Sequence, residues 1–136
     1  DGMDISIVEI DTKKQTLRYA GAQSRGLLVT KNGAIYLKPD RHGVGGERLS
    51  NQKKTFENQT HPFEKGDCVF LFSDGFYDQF GGELGKKMLR KRFTERVMEN
   101  CHLPMAEQRS VLEHSFVAWK GELEQIDDVT VIGVEL

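Results

Sequence analysis

The sequence predicts an α+β fold of packed layers, and three observations carry that expectation. Residues 4 to 37 hold two pairs of β-rich runs, each pair joined by a polar turn. A continuous apolar run, CVFLFS, ends at residue 73, after which the apolar period lengthens from strand-like to helical. The closing stretch DVTVIGVEL returns to strand composition. Hairpins first, a helical pair later and a last strand describe helices packed against mainly antiparallel sheets.

Each element follows from local chemistry. DISIVEI is rich in β-branched residues and reads as a strand; DTKKQT is a polar connection, and TLRYAGA is its returning partner. GLLVT and AIYLK flank Lys31, Asn32 and Gly33, and Asn32-Gly33 signals a tight hairpin because both residues tolerate positive φ. Residues 39 to 54 read as loop, with three glycines in GVGG. A short strand is expected near Thr55 to Asn58, and Lys65-Gly66-Asp67 is a turn.

CVFLFS is apolar without alternation, which predicts a strand buried on both faces. Leu89, Phe93 and Val97 then recur every fourth residue, so residues 84 to 100 read as an amphipathic helix. Pro104 suits the first turn of a second helix, whose apolar stripe is Leu112, Phe116, Trp119 and Leu123 and whose end is weakened by Gly121.

Size and composition narrow the function. The 136 residues make one domain-sized unit, 38% hydrophobic and 29% charged, as in soluble globular proteins. A net charge of -2 argues against wholesale nucleic-acid binding. No apolar stretch approaches the ~20 residues of a membrane helix, so no membrane contact is expected of this segment. Cys68 and Cys101 form no CxxC, and the histidines form no HExxH. A reduced, cytoplasmic protein is the simplest reading.

The chemistry sits in two acidic stretches, FLFSDGFYDQF and QIDDVTVIGVEL. If strands 68–73 and 129–135 are antiparallel neighbours, the exit of one lies beside the entrance of the other. Asp74 then shares one sheet edge with Asp127 and Asp128, and Asp78 follows within the turn. Carboxylates so grouped repel unless a proton or a cation offsets them, and Mg²⁺ or Mn²⁺ prefers carboxylate oxygen. Taken singly, Asp-Gly after a strand is a turn and Asp-Asp before one is a solvated pair.

LFSDGFYDQFGG and QIDDVTVIG, with a helical pair between them, resemble the metal-dependent Ser/Thr protein phosphatases of the type 2C-like superfamily, in their SpoIIE-type branch. DGMDISIVEID leading to LRYAGAQ, the segment DRHGVGG, and EQIDDVTVIG after AWKGEL extend the resemblance along nearly the whole chain. It implies an α-β-β-α sandwich, of which residues 1–136 are the C-terminal part of one domain lacking its N-terminal portion. It implies two Mg²⁺ or Mn²⁺ ions bridged by a water or hydroxide that attacks phosphorus in line. Asp74 and Asp127 match metal-binding positions. Asp128 matches a polar supporting position, and Asp78 a weaker additional metal site. DGMD is not the family's first metal motif, because it runs straight into a hairpin; those aspartates are expected upstream.

The resemblance also implies a partner: a phosphorylated bacterial signalling protein such as an anti-sigma-factor antagonist, and a parent that carries sensor modules. With part of the ligand set missing, the isolated segment is expected to be inactive and to self-associate through uncovered apolar surface. The alternative is a phosphatase-like interaction module without catalysis. Nucleic-acid binding through Lys86, Lys87, Arg90, Lys91 and Arg92 is a third reading, against which stands a solvated helix face. Gln23, Ser24 and Arg25 depart from the Asn-Asn-Pro or His-x-Pro that the branch often has after Ala-Gly, and Arg25 is read as an exposed loop arginine rather than a phosphate ligand. Cys68 is read as a small core residue, not a nucleophile.

Overall fold

The computed structural model describes residues 2–46 and 53–136. Its elements, in chain order, are β1 (Gly2–Met3), β2 (Ile5–Asp11), β3 (Thr16–Ala22), β4 (Arg25–Thr30), β5 (Gly33–Leu37), β6 (Val44–Gly45), β7 (Gln59–Pro62) and β8 (Cys68–Phe72). Then follow α1 (Gly75–Asp78), β9 (Phe80–Gly81), β10 (Lys86–Lys87), α2 (Arg90–Asn100), α3 (Met105–Lys120) and β11 (Val131–Glu135). Two sheets dominate, one of order β11-β8-β4-β5 and one of order β2-β3-β7, with β1-β6 and β9-β10 as short ribbons. All the strand pairs are antiparallel.

The layers follow from the pleat, which sends successive side chains to opposite faces. Leu27, Val29, Cys68, Phe70 and Phe72 face the helices and pack with Phe76 of α1, Phe93 and Val97 of α2, and Leu112 and Phe116 of α3. Leu28 and Val69 face the other way, against Leu17, Tyr19, Leu37 and Phe63. β8 is therefore buried on both faces, as its unbroken apolar run requires. The order is helices, four-stranded sheet, three-stranded sheet. All three helices join the first core and none joins the second, which is the expected α+β sandwich with one helical layer on these residues.

Turn chemistry sets the hairpins. Asp11 Oδ1 accepts the backbone N–H groups of Lys13 and Lys14 at 3.0 and 2.9 Å, closing the β2–β3 turn. At β4–β5 the pairing of Thr30 with Gly33 leaves Lys31-Asn32 as the loop. Only Gly33 there takes positive φ, at 118°, so the glycine serves the first position of the returning strand rather than sharing a turn with Asn32.

Three expected boundaries move. The strand anticipated at Thr55–Asn58 forms instead at Gln59–Pro62, where it pairs with Thr16–Tyr19 of β3; cross-strand pairing, not local propensity, selects it. The helix expected from 84 begins only at Arg90. Gly82, Gly85 and Leu89 all have positive φ, and Lys86-Lys87 pair back onto Phe80-Gly81. Leu89 is consequently 61% exposed and leaves the apolar stripe to Phe93 and Val97. After β8 the turn at Gly75 becomes one helical turn, closed by Asp78 N–H donating to the Asp74 carbonyl at 2.9 Å. Of the loop read at 39 to 54, residues 47 to 52 lie outside the described residues, and Val44–Gly45 forms a ribbon with Gly2–Met3.

Candidate metal centre

The β8–β11 pairing runs Phe72 against Val131 and Cys68 against Glu135. It continues past both strand ends. Ser73 N–H donates to the Thr130 carbonyl, Thr130 N–H donates to Ser73 Oγ, and Ser73 Oγ donates to the Asp128 carbonyl, each at 3.0 Å. A methyl group on Gly75 would overlap that same Asp128 carbonyl oxygen. Residues 73–75 and 128–130 thus lie in backbone contact at one end of the sheet, with Asp74 on one segment and Asp127-Asp128 at the start of the other. Glycine is required at 75 by close approach, which adds a steric reason to the turn reading.

The side chains differ in what they touch. The Asp74 carboxylate is exposed and forms no ion pair among the described residues. Asp127 Oδ1 accepts the Asp128 N–H at 2.7 Å, and Gln125 Nε2 donates to the Asp127 carbonyl at 2.9 Å. Asp78 is paired with Lys87 at 3.2 Å. Among the described residues no three His, Cys, Asp or Glu side chains gather closely enough to hold an ion together. The carboxylate oxygens of these aspartates are hard donors of the kind Mg²⁺ and Mn²⁺ take.

Three residues that sequence reasoning passed over or misread belong to this corner. Gln79 is wholly buried, and its Nε2 donates to the carbonyls of Phe80 and Glu124 at 3.0 and 2.8 Å. Trp119 Nε1 donates to the Gln79 carbonyl at 2.9 Å. Gln79 therefore ties the segment after Asp78 to the segment before Asp127. Asp4 and Arg25 line, with Ser24, Asp74 and Tyr77, a cleft of about 310 Å³. Arg25 opens β4 and is partly buried, so it is not the exposed loop arginine that its neighbours suggested. Burial pushes the Tyr77 hydroxyl pKa up, while the nearby Arg25 guanidinium pulls it down and Asp74 and Asp78 push it further up. No local pattern marks Gln79 or Asp4; their roles come from distant segments.

The rest of the surface offers less chemistry. A groove of about 760 Å³ between α3 and β11 is larger but mainly apolar, lined by Phe70, Phe76, Phe116 and Val131, and its Arg109 is paired with Glu113 at 2.9 Å. The residues of the basic run are exposed, and four have a local neighbour: Lys87 pairs with Asp78, Lys91 with Glu95 at 3.9 Å, Arg90 lies over Tyr36 and Arg92 over Trp119. Lys86 and Lys87 lie in β10, outside α2, so the run does not form one helix face. Cys68 and Cys101 are free, and burial pushes the Cys68 thiol pKa up, away from nucleophilic use. No helix among the described residues is long and apolar enough to cross a membrane.

The family described as Stage II sporulation protein E (SpoIIE) matches residues 2–136. No curated protein matches the sequence. Among solved structures, the SiaA-PP2C domain of Pseudomonas aeruginosa is similar with a TM-score of 0.88 and 26% identity, over 99% of this chain and 52% of that one. The RsbU and RsbW domains of Rv1364c from Mycobacterium tuberculosis match with a TM-score of 0.73 and 19% identity, over 97% and 35%. The Mn-presoaked phosphatase domain of SpoIIE from Bacillus subtilis matches with 0.68 and 15%, over 98% and 56%. The chain spans about half the length, or less, of these solved chains.

Proposed function

Because this chain belongs to the SpoIIE family of PP2C-type phosphatase domains, we propose that it is the C-terminal part of a Mg²⁺- or Mn²⁺-dependent protein serine/threonine phosphatase. The observation that carries this reading is the backbone contact of residues 73–75 with 128–130, which puts Asp74 beside the Asp127-Asp128 pair. Asp74 and Asp127 are the metal ligands, Asp128 supports Asp127 through their shared backbone link, and Asp78 serves a weaker site. A divalent cation at such a place neutralises phosphoryl oxygens and makes water a better nucleophile at neutral pH. The chain's own part is to hold the carboxylates at a rigid sheet end. Ser73 and Gln79 do so by fixing the two acidic segments against one another. The remaining ligands belong to sequence beyond these residues, so residues 1–136 alone are inactive.

The substrate is a phosphoserine or phosphothreonine on a bacterial signalling protein, with an anti-sigma-factor antagonist as the partner type. The similarity to a chain that joins RsbU and RsbW domains supports a place in regulatory signalling. Two free cysteines suit the cytoplasm, or the cytoplasmic part of a larger sensor.

In the protein that carries this chain, Asp74→Asn and Asp127→Asn each abolish Mn²⁺-dependent hydrolysis of a phosphoserine peptide while circular dichroism stays unchanged. Full turnover in both variants would end the assignment. A second reading, an interaction module with a phosphatase-like fold and no hydrolysis, draws on the absence of a three-ligand cluster among the described residues. Turnover by the unaltered protein decides against it.

A further inference from the structure

Arg25 pairs opposite Phe72, and Phe72 pairs opposite Val131 on its other side. That row is the last before Ser73 and Asp74, so Arg25 stands at the same sheet end as the acidic segments. The chain leading into it is tightly fixed. The Tyr19 hydroxyl donates to the Ser24 carbonyl at 2.6 Å, Gln23 N–H donates to the Asp40 carbonyl at 2.9 Å, and Asp40 N–H donates to the Gly21 carbonyl at 2.8 Å. Gly21 is part of this arrangement, since a methyl group there would overlap the Tyr19 hydroxyl.

The Arg25 side chain is partly buried in the cleft beside Tyr77, yet it joins none of the ion pairs among the described residues. The guanidinium also meets the Tyr77 hydroxyl, and a partly buried guanidinium without a carboxylate partner can take an anion, its fork matching phosphate oxygens. Ser24 adds a donor. The Ser24 hydroxyl lies 2.8 Å from the Ser6 hydroxyl and lines the same cleft, where it can rotate to donate to a bound anion.

Asp4 and Asp74 share this cleft and by themselves would repel an anion. A phosphomonoester meets both conditions, because it has oxygens enough for an arginine fork and for a cation held by a carboxylate. A simple carboxylate ligand has no such surplus.

We infer that Arg25, with the Ser24 hydroxyl, binds the phosphoryl group of the substrate in the cleft next to Asp74. The inference rests on the phosphatase reading for the identity of the substrate, but the anion site can be tested without turnover. Inorganic phosphate is titrated calorimetrically into the protein that carries this chain, in the presence of Mn²⁺, and Mn²⁺ alone is titrated separately. Arg25→Gln should weaken phosphate binding by about tenfold or more, the usual scale of a lost charge-assisted hydrogen bond. Arg25→Lys, which keeps charge at the site if the glutamine variant is unstable, should fall between. Mn²⁺ affinity should not weaken in either variant. Phosphate affinity that is equal in all three proteins, or no phosphate binding by the unaltered one, overturns the inference. Arg25-dependent phosphate binding without any peptide hydrolysis would instead sink the phosphatase reading and leave the anion site standing.

Discussion

Gly75 lies directly against the backbone carbonyl of Asp128, so closely that a single methyl group would overlap its oxygen. The same carbonyl accepts the Ser73 hydroxyl at 3.0 Å. One contact therefore governs how near the two acidic segments come.

Gly75→Ala should push those segments apart. Overpacking of this kind costs about 1–3 kcal/mol, read as a lower denaturant midpoint. Mn²⁺ affinity in the protein that carries this chain should fall with it. Unchanged stability together with unchanged Mn²⁺ affinity would contradict the close approach.

Gln79→Met should leave the Glu124 carbonyl without its buried donor. The expected cost is about 0.5–1.5 kcal/mol, the net worth of a typical hydrogen bond. Hydrogen exchange should speed up across residues 121 to 128, ahead of the rest of the chain. Exchange that rises uniformly, or not at all, would deny Gln79 its role as a tie between the two acidic stretches.

Asp78→Asn should matter little to folding. Its partner Lys87 is well exposed at 43%, and exposed ion pairs contribute about 0–1 kcal/mol. Activity should drop less than in Asp74→Asn, in keeping with a weaker metal site. An equal or larger loss would move Asp78 into the main ligand set.

Alkaline pH should destabilise the fold. Burial raises the pKa of Cys68, Tyr19 and Tyr77 above their ordinary values of 9.0, 10.0 and 10.0. The folded chain then holds protons that the unfolded chain has released, so stability falls as pH rises past about 9. Thermal melts from pH 7 to 10.5 should show Tm falling first from about pH 9. Cys68→Ala should remove the earliest part of that decline, and a flat profile in the unaltered chain would refute the account.

β11 is an edge strand with Ile132 and Val134 on view, 54% and 40% exposed. Such an edge invites pairing with another chain. Residues 1–136 produced alone should sediment as more than a monomer at high concentration, and Ile132→Lys should shift them toward monomer. Monomeric behaviour throughout would show that the edge is not sticky.

What the sequence by itself determined is local. The helical period before and after Pro104, the unbroken apolar run of β8, the hairpin around Asn32-Gly33 and the acidic pair flanking two strands can all be read from neighbouring residues. Each is set by backbone preference and by the alternation of faces, which act over a few positions. The antiparallel partnership of β8 and β11 could only be supposed from the sequence, and it is the structure that shows it. Tertiary structure decided the rest. Strand β7 forms where β3 offers a partner, and α2 waits until Arg90 because residues 80 to 89 fold back under Trp119 and Gln79. Arg25 and Asp4 enter the cleft of Asp74 through the register of strands far apart in the chain. Register is chosen by whole faces packing together, and no short stretch of residues contains that information.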